Sequence, residues 1–488
     1  MRPDDLFDRE REWADLDGFV RAPARGLRVG ILHGRRRTGK SFLLRRLVAA
    51  HGGLYSMALE EEPAPALLRF AATVGRDLAL PVGALRFDDW EQALRSAIER
   101  YPLVVLDELP YLLRHPSGAA IPSVLQLLVD ESRVDAAPPR RVIVCGSALA
   151  VMTELLSGGT PLRGRADLDL RLGPFDHRTM AAYYGIADPA VAFRLHAVVG
   201  GTPGYRDLLA DASPQTAGEL DEVLAATVLN PSHALFGEAD HLLREDPRIT
   251  DRAVYHSVLS AIAGGATTPA KVAASIGRPE RSLFHALDVL VSAGFVVRDD
   301  DVLLQRRPVL RLADPIVRFH QLVVSPRLAS LEERAVAEAW VDAGPTVESR
   351  IHGPHFEDLA REWVRRFASA STTGEPVGEV GATVVNDRAG RATHGVDVVA
   401  LARGQRRQAR DARVVILGEA KASASQRGMG DLERLDRVRA LLVARGVDAG
   451  QARLLLFGRS GFDGELHQAA RRRTDVELVD LDRLWTGS

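Results

Sequence analysis

Lysine is nearly absent from this chain of 488 residues. Of its 63 basic residues only Lys40, Lys271 and Lys421 are lysines, and the other 60 are arginines. Cysteine occurs once, at Cys145, which excludes an internal disulfide and any zinc site built on cysteine pairs. No apolar run approaches the ~20 residues of a membrane helix. The opening MRPDDLFDREREWADL is charged and lacks the apolar stretch of a secretory signal. The net charge of −2 excludes a polycation built to coat nucleic acid, while leaving local basic patches open. These absences predict a soluble, cytoplasmic protein with no membrane partner. A 46% hydrophobic content is ordinary for globular chains, and the length suits roughly two to four domains.

The chain uses arginine wherever a generic positive charge will do. A surviving lysine is therefore a candidate for work that a planar guanidinium cannot perform. A GC-rich coding bias accounts for the scarcity but not for where Lys40 and Lys421 stand. Short Val/Ile/Leu-rich runs at LRVGILHG (27–34), LVVL (103–106), VIVC (142–145) and LDLRL (168–172) alternate with helical patterns. That alternation predicts an α/β fold whose parallel sheet is covered on both faces. Helices dominate from 176 to about 246, interrupted by GGTPGY at 200–205. Two short helices, a longer one and an acidic-tipped hairpin, FVVRDDDVLLQRR, occupy the stretch between 251 and about 324. The remainder returns to mixed α/β, with a helix near 355–367 and another near 430–444. Its strands are expected near 377–385, 395–401 and 413–418, at RLLLFG and at VELVDL.

The first strand runs directly into Gly34-Arg35-Arg36-Arg37-Thr38-Gly39-Lys40-Ser41, and a helix comes next. Strand, G-x-x-x-x-G-K-S and helix together make a phosphate-binding loop. Gly34 and Gly39 let backbone N–H groups turn toward phosphate oxygens, and the helix N-terminus adds partial positive charge. Lys40 is a compact ammonium suited to β- and γ-phosphates, and Ser41 is a ligand for Mg²⁺. LVVLDEL delivers Asp107 and Glu108 to the carboxyl end of a strand, where α/β sheets bind ligands. Asp107 suits the metal shell, and Glu108 the polarisation of an attacking water. Ser147, after the strand containing Cys145, offers a hydroxyl to the γ-phosphate or that water. Cys145 itself reads as a small buried apolar residue.

FDREREWADL (7–16), GRRRTGKS, LVVLDELPYLL, VIVCGSALAVM, RGRADLDLRLGPF and GGTPGY occur in that order. Together they resemble the archaeal-type prokaryotic ATPases of the AAA+/STAND lineage, over about the first 210 residues. The resemblance implies ATP and Mg²⁺ as cofactors. It places the Phe7-x-Arg9-Glu10 segment near the adenine and Ser147 at the sensor position. Arg163 and Arg165 fall where such families often put an arginine that senses phosphate charge, and a structural role for either is equally open.

The segment from 251 to 312 reads as a winged helix, and RLADPIVRFHQLVV resembles the segment after that module in the same ATPases. Asp299, Asp300 and Asp301 at the expected wing tip would repel phosphates, and PERSLFHALDVL offers little positive charge beyond Arg278 and Arg281. A relay or protein-contact module is favoured over DNA reading, and Lys271 reads as a solvated surface residue.

In the last region Asp397 lies within one β-run, and Glu419 and Lys421 stand two apart at the end of another, hence on one face. Two carboxylates can share a divalent metal that activates water, with the ammonium positioning the nucleophile. Glu357 on the preceding helix is placed to approach the same ion. The order helix–Glu, strand–Asp, strand–Glu-x-Lys, helix, strand resembles the PD-(D/E)xK nuclease-like fold, which the same ATPases often carry at the C-terminus. Where related domains show Glu-Ile-Asp, this chain has Gly395-Val396-Asp397, so one supporting carboxylate is missing. RGQRRQARDAR (403–413) is either a solvated tip or a holder of phosphate backbone.

The expected organisation is a P-loop NTPase domain at 1–175, a helical lid at 176–247, a winged helix at 248–325 and an α/β nuclease-like domain at 326–488. The function expected is an ATP-driven switch or motor coupled to a nuclease-like effector on nucleic acid, DNA ahead of RNA. The alternative is a signalling ATPase whose later domains only bind protein or DNA. A protein partner or homo-oligomer fits both.

Overall fold

Strand β1 (Leu27–His33) is central, with six of its seven residues buried and Leu, Val and Ile side chains to cover both of its faces. In the computed structural model, which describes residues 2–23, 25–134, 138–210, 212–305 and 308–488, it lies between β4 (Arg140–Gly146) and β5 (Ala166–Arg171). With β2 (Leu54–Met57) and β3 (Leu103–Asp107) the order is β2-β3-β4-β1-β5, every pair parallel. The strand period of two sorts the apolar residues onto two faces. Val29, Ile31, Val104, Leu106, Val142 and Val144 enter one core, and Leu32, Leu103, Val105, Ile143 and Cys145 the other. Each such side chain contributes on the order of 1.5–3 kcal/mol when fully buried. The edge strand β5 alternates half-buried and exposed residues instead. Helix α1 (Lys40–His51) comes after β1.

The chain divides into two compact units. The first holds this sheet, through Pro174, together with Thr202–Tyr205 and Asp240–Thr250. The second holds Phe175–Gly201, Arg206–Ala239 and Asp251–Ser488. The segment 176–247, expected as a lid, is divided between these two units. Its two short segments belong with the sheet, and its helices α2 (His177–Tyr184) and α3 (Pro189–Val199) belong with the rest of the chain.

In the second unit, α4 (Arg252–Ala263), α5 (Pro269–Ile276) and α6 (Phe284–Ser292) precede an antiparallel pair, β6 (Val296–Asp299) and β7 (Val309–Leu312). Helix α7 (Gly353–Arg366) then leads into a mixed sheet of order β12-β11-β10-β9-β8. β8 (Val377–Asp387), β9 (Ala392–Ala402) and β10 (Val414–Lys421) are antiparallel neighbours. Helix α8 (Met429–Ala444) crosses over so that β11 (Arg453–Gly458) and β12 (Val476–Asp480) run parallel to β10. Val399, Leu401, Leu417, Leu435, Leu454 and Leu456 form its core. Among the described residues no helix is long and apolar enough to cross a membrane.

The acidic tip departs from expectation. Asp301 and Val302 are buried. The Val302 N–H donates to the Ala382 carbonyl at 3.1 Å, and its own carbonyl accepts from the Gln408 N–H at 2.8 Å. Asp301 Oδ1 accepts from Thr383 Oγ1 at 2.7 Å and from the Leu303 and Leu304 N–H groups at 2.9 Å. Asp301 therefore caps a turn and seats Val302 in the core of the second sheet, while Asp300 stays exposed and Asp299 half-buried. A Cβ on Gly381 would lie 2.5 Å from Val302 Cγ2, so glycine is needed for the approach. Arg306 and Arg307 of the expected hairpin lie outside the described residues. Val302→Ala is expected to lower stability by about 1–3 kcal/mol in urea unfolding of the full chain. An unchanged midpoint would mean that this segment is not seated.

Candidate functional site

At the carboxyl end of β1 the backbone turns through a loop in which Arg37 and Gly39 both have positive φ, 65° and 95°. A Cβ on Gly34 would lie 2.3 Å from the Leu172 carbonyl oxygen, so only glycine fits there. Lys40 is buried and donates from Nζ to the Arg35 carbonyl at 2.9 Å, which also accepts from Thr38 Oγ1 at 2.8 Å. Arg36 pairs with Glu245 at 2.6 Å. The Arg37 carbonyl accepts from the Gly204 N–H at 3.0 Å, so GGTPGY seats its last glycine directly on the loop. Arg9, buried with φ 71°, donates from Nη2 to the Gly173 carbonyl at 2.6 Å and to the Thr38 carbonyl at 3.5 Å. It ties the start of the chain to the loop.

Asp107 ends β3 fully buried. Its Oδ1 accepts from the Glu108 N–H at 2.9 Å and its Oδ2 from the Tyr55 hydroxyl at 2.5 Å. The Ser41 side chain approaches the same phenol, and the Arg45 guanidinium lies 4.2 Å from the ring centroid. Burial and the Asp107 charge push the phenol well above its ordinary range, so it stays a donor. Glu108 leaves the strand at φ 55°, and its Oε2 accepts from both the N–H and the Oγ of Ser147, at 3.2 and 3.0 Å. Ser41 and Asp107 thus meet at Tyr55, and Glu108 meets Ser147, with Lys40 adjoining Ser41 in the loop. A hydroxyl beside a carboxylate is a donor set that suits Mg²⁺. Tyr55 escaped the sequence reading because β2 is four residues long and carries no motif. The Cys145 thiol, buried nearby, is pushed up by burial and by Asp107.

Arg163 and Arg165 are not brought to this loop. Arg165 precedes β5 and donates to Asp130 at 3.1 and 3.3 Å, and Arg163 donates to the Gly158 carbonyl at 2.6 Å. The reason is strand direction. β5 runs parallel to β1, so its amino end lies at the edge opposite to the phosphate loop.

In the second unit, β9 and β10 bring Asp397, Glu419 and Lys421 together. Lys421 Nζ lies 2.6 Å from Glu419 Oε1 and 3.6 Å from Asp397 Oδ2, which accepts from the Ala420 N–H at 3.0 Å. Arg434 on α8 also pairs with Glu419 Oε1 and donates to the Gly395 carbonyl at 2.7 Å. Glu419 Oε2 is buried with no hydrogen-bond partner, an orphaned acceptor that fits a cation. Burial and Asp397 push the Glu419 carboxyl up. The same two causes push Glu357 up to about 7. Arg361 on α7 donates to the Asp397 carbonyl at 2.8 Å and lies 3.8 Å from Glu357. Glu357 faces the pair electrostatically but adds no further ligand. Among the described residues no group of three or more His, Cys, Asp or Glu is arranged to hold a metal ion. In the arginine-rich loop, Arg407 binds Glu379 at 2.8 Å and the Asp300 carbonyl at 2.9 Å, and Arg413 pairs with Glu375. These two arginines anchor the loop.

No protein-family profile matches the chain. An uncharacterized protein of Methanocaldococcus jannaschii is 22% identical over 363 residues, covering 74% of this chain and 77% of that protein. Among solved structures, a Walker-type ATPase of Pyrococcus abyssi is similar with a TM-score of 0.48 at 20% identity, over 66% of this chain and 97% of its own. The ORC2 protein of Aeropyrum pernix, solved as ADPNP–ADP complexes, gives 0.46 at 15% identity, over 70% and 97%. A STAND protein of Pyrococcus horikoshii with a tetratricopeptide repeat sensor gives 0.28 at 15% identity, over 75% and 51%.

Glu357 makes stability depend on pH. Below its ordinary value of 4.5 the carboxyl is protonated folded and unfolded alike; between there and about 7 only the unfolded chain ionises it readily. The unfolded state then holds fewer protons, so this group costs the fold stability as pH rises through that window. Glu357→Gln is expected to match the parent at pH 4 and to exceed it in melting temperature at pH 8, in chelator-treated buffer. Equal melting temperatures at both values would show that Glu357 is not held protonated.

Proposed function

We propose that the chain binds Mg·ATP at Gly34–Ser41 and hydrolyses it, as a switch or motor of the AAA+/STAND type. The observation that carries this reading is the meeting of Lys40, Ser41–Tyr55–Asp107 and Glu108–Ser147 at the carboxyl ends of β1, β3 and β4. Lys40 exchanges the Arg35 carbonyl for phosphate oxygens, a change its short, buried ammonium makes without moving the backbone. Ser41 and Asp107 would hold Mg²⁺, which when bound neutralises charge on the phosphates. Glu108, oriented by both donors of Ser147, accepts a proton from the attacking water. Arg9 and the Arg36–Glu245 pair brace the loop.

We further propose that α4–α6 with β6 and β7 form a winged helix acting as a relay, since Asp301 of the expected tip is seated against β8 and the exposed Asp300 beside it would repel phosphates. The sheet β8–β12 is read as nuclease-like. Asp397 and Glu419 would hold a divalent ion that activates water, and Lys421 positions that water beside them. Nucleic acid is the expected substrate, DNA ahead of RNA. One observation favours a second reading, in which this domain only binds. Lys421 and Arg434 both engage Glu419 Oε1, so one carboxylate already carries two cations.

Lys40→Ala is expected to lose nucleotide binding, and Glu108→Gln to keep it while turnover falls by roughly 10²-fold or more. Full ATPase activity in both would overturn the assignment.

For the second site, Asp397→Asn and Glu419→Gln are expected to abolish Mn²⁺ binding in calorimetry. Lys421→Arg should keep the fold and the metal but impair cleavage, because the fork cannot occupy the ammonium's place. Mn²⁺ binding with no cleavage of single- or double-stranded DNA or RNA would select the second reading.

A further inference from the structure

A cavity of about 250 Å³ lies within the second unit, between α4, β7, the segment just after β7, and the start of α7. Its apolar walls include Ile262, Leu310 and Leu322, and three arginines, Arg311, Arg318 and Arg350, line it as well. The volume exceeds the ~150 Å³ that accommodates a benzene ring.

Arg318 is 5% exposed. Its Nε has no hydrogen-bond partner, and its nearest carboxylate oxygen, on Asp358, stands 4.0 Å from Nη1. That carboxylate is already held by Arg361 at 2.7 Å and by Arg311 at 3.0 Å. Asp314 acts on Arg318 through its field, while its Oδ1 accepts from the Val317 N–H at 3.0 Å. Arg311 also binds Asp299, and Arg350 donates to the Ala263 carbonyl at 2.6 Å. The charged residues that line the cavity are thus three arginines and no carboxylate, while Asp299, Asp314, Asp358 and Glu357 stand around Arg311, Arg318 and Arg361 behind that lining. His355, packed near Arg318, adds no negative charge, and burial holds it neutral. Burying a guanidinium whose Nε lacks a hydrogen bond and whose carboxylate stands as far as 4.0 Å away costs free energy. A cavity with apolar walls, three arginines and no carboxylate in its lining has the chemistry of a site whose counter-ion comes with a ligand.

We propose that this cavity binds a small organic anion, its carboxylate or phosphate seated on Arg318 and its body against Ile262, Leu310 and Leu322. The proposal stands whether or not the nucleotide loop or the Asp397–Glu419 pair acts as read above.

The test uses the full chain carrying Lys40→Ala, so that the phosphate loop does not compete for anions. Benzoate, phenyl phosphate and inorganic phosphate are titrated at constant ionic strength while melting temperature is followed, with neutral benzamide as control. Benzoate or phenyl phosphate, or both, should give a saturable rise of at least about 2 °C, and benzamide none. Which of the two acts more strongly distinguishes carboxylate from phosphate. Arg318→Met should remove the response while leaving the ligand-free protein as stable as before or more so, since a buried unmatched charge is gone. Ala263→Met, which extends into the cavity without replacing any of its arginines, should remove it too. No saturable rise with any probe, an equal rise with benzamide, or an undiminished response in both variants would overturn the proposal.

Discussion

Charge taken into a protein interior must be matched, and helix α7 imposes that constraint on the whole second unit. Phe356, Leu359, Ala360, Trp363 and Val364 draw the helix into the core, and its polar residues are carried in with them. Three of them, Asp358, Glu362 and His355, meet partners on other elements. Asp358 binds Arg311 from β7, and Glu362 lies 3.8 Å from His177 of α2 while pairing with Arg366 at 2.8 Å. His355 Nε2 meets His196 Nδ1 of α3 at 2.9 Å, and burial lowers His196 to about 3, so the pair is held neutral. Unpaired, any of these groups would cost several kcal/mol. Helices α2 and α3 thus pack with the helix that carries Glu357 inside the second unit.

The two candidate sites arise from different uses of the strand. In the first sheet every strand runs the same way, so the residues that end β1, β3 and β4 converge at one edge, and a residue that begins β5 cannot join them. In the second sheet Asp397 and Glu419 lie on antiparallel neighbours and are joined through the Ala420 N–H. Chemistry is thus placed at strand ends in one unit and across a strand pair in the other.

Most regular elements were legible because their signals are local. β1, β3, β4 and β5 announce themselves as apolar runs, the phosphate loop as a fixed spacing, and Glu419 and Lys421 as a period-two pair in a chain almost without lysine. β2 was not legible, and Tyr55 with it, since LYSM is too short to carry a pattern. Arg434 was hidden among 60 arginines, and only the crossover of α8 brings it to Glu419.

By itself the sequence determined the alternation of elements, the loop at Gly34–Ser41 and the identity of the acids and lysines available for chemistry, because each depends on neighbours a few residues apart. The tertiary structure alone decided where the acidic run at 299–301 goes, how the segment 176–247 is shared between two units and which arginines reach a carboxylate. These are long-range pairings, chosen by competition among many chemically identical groups for few buried partners. Asp301 has the same composition around it whether it faces solvent or Thr383; only the space beside Gly381, which admits Val302, determines which.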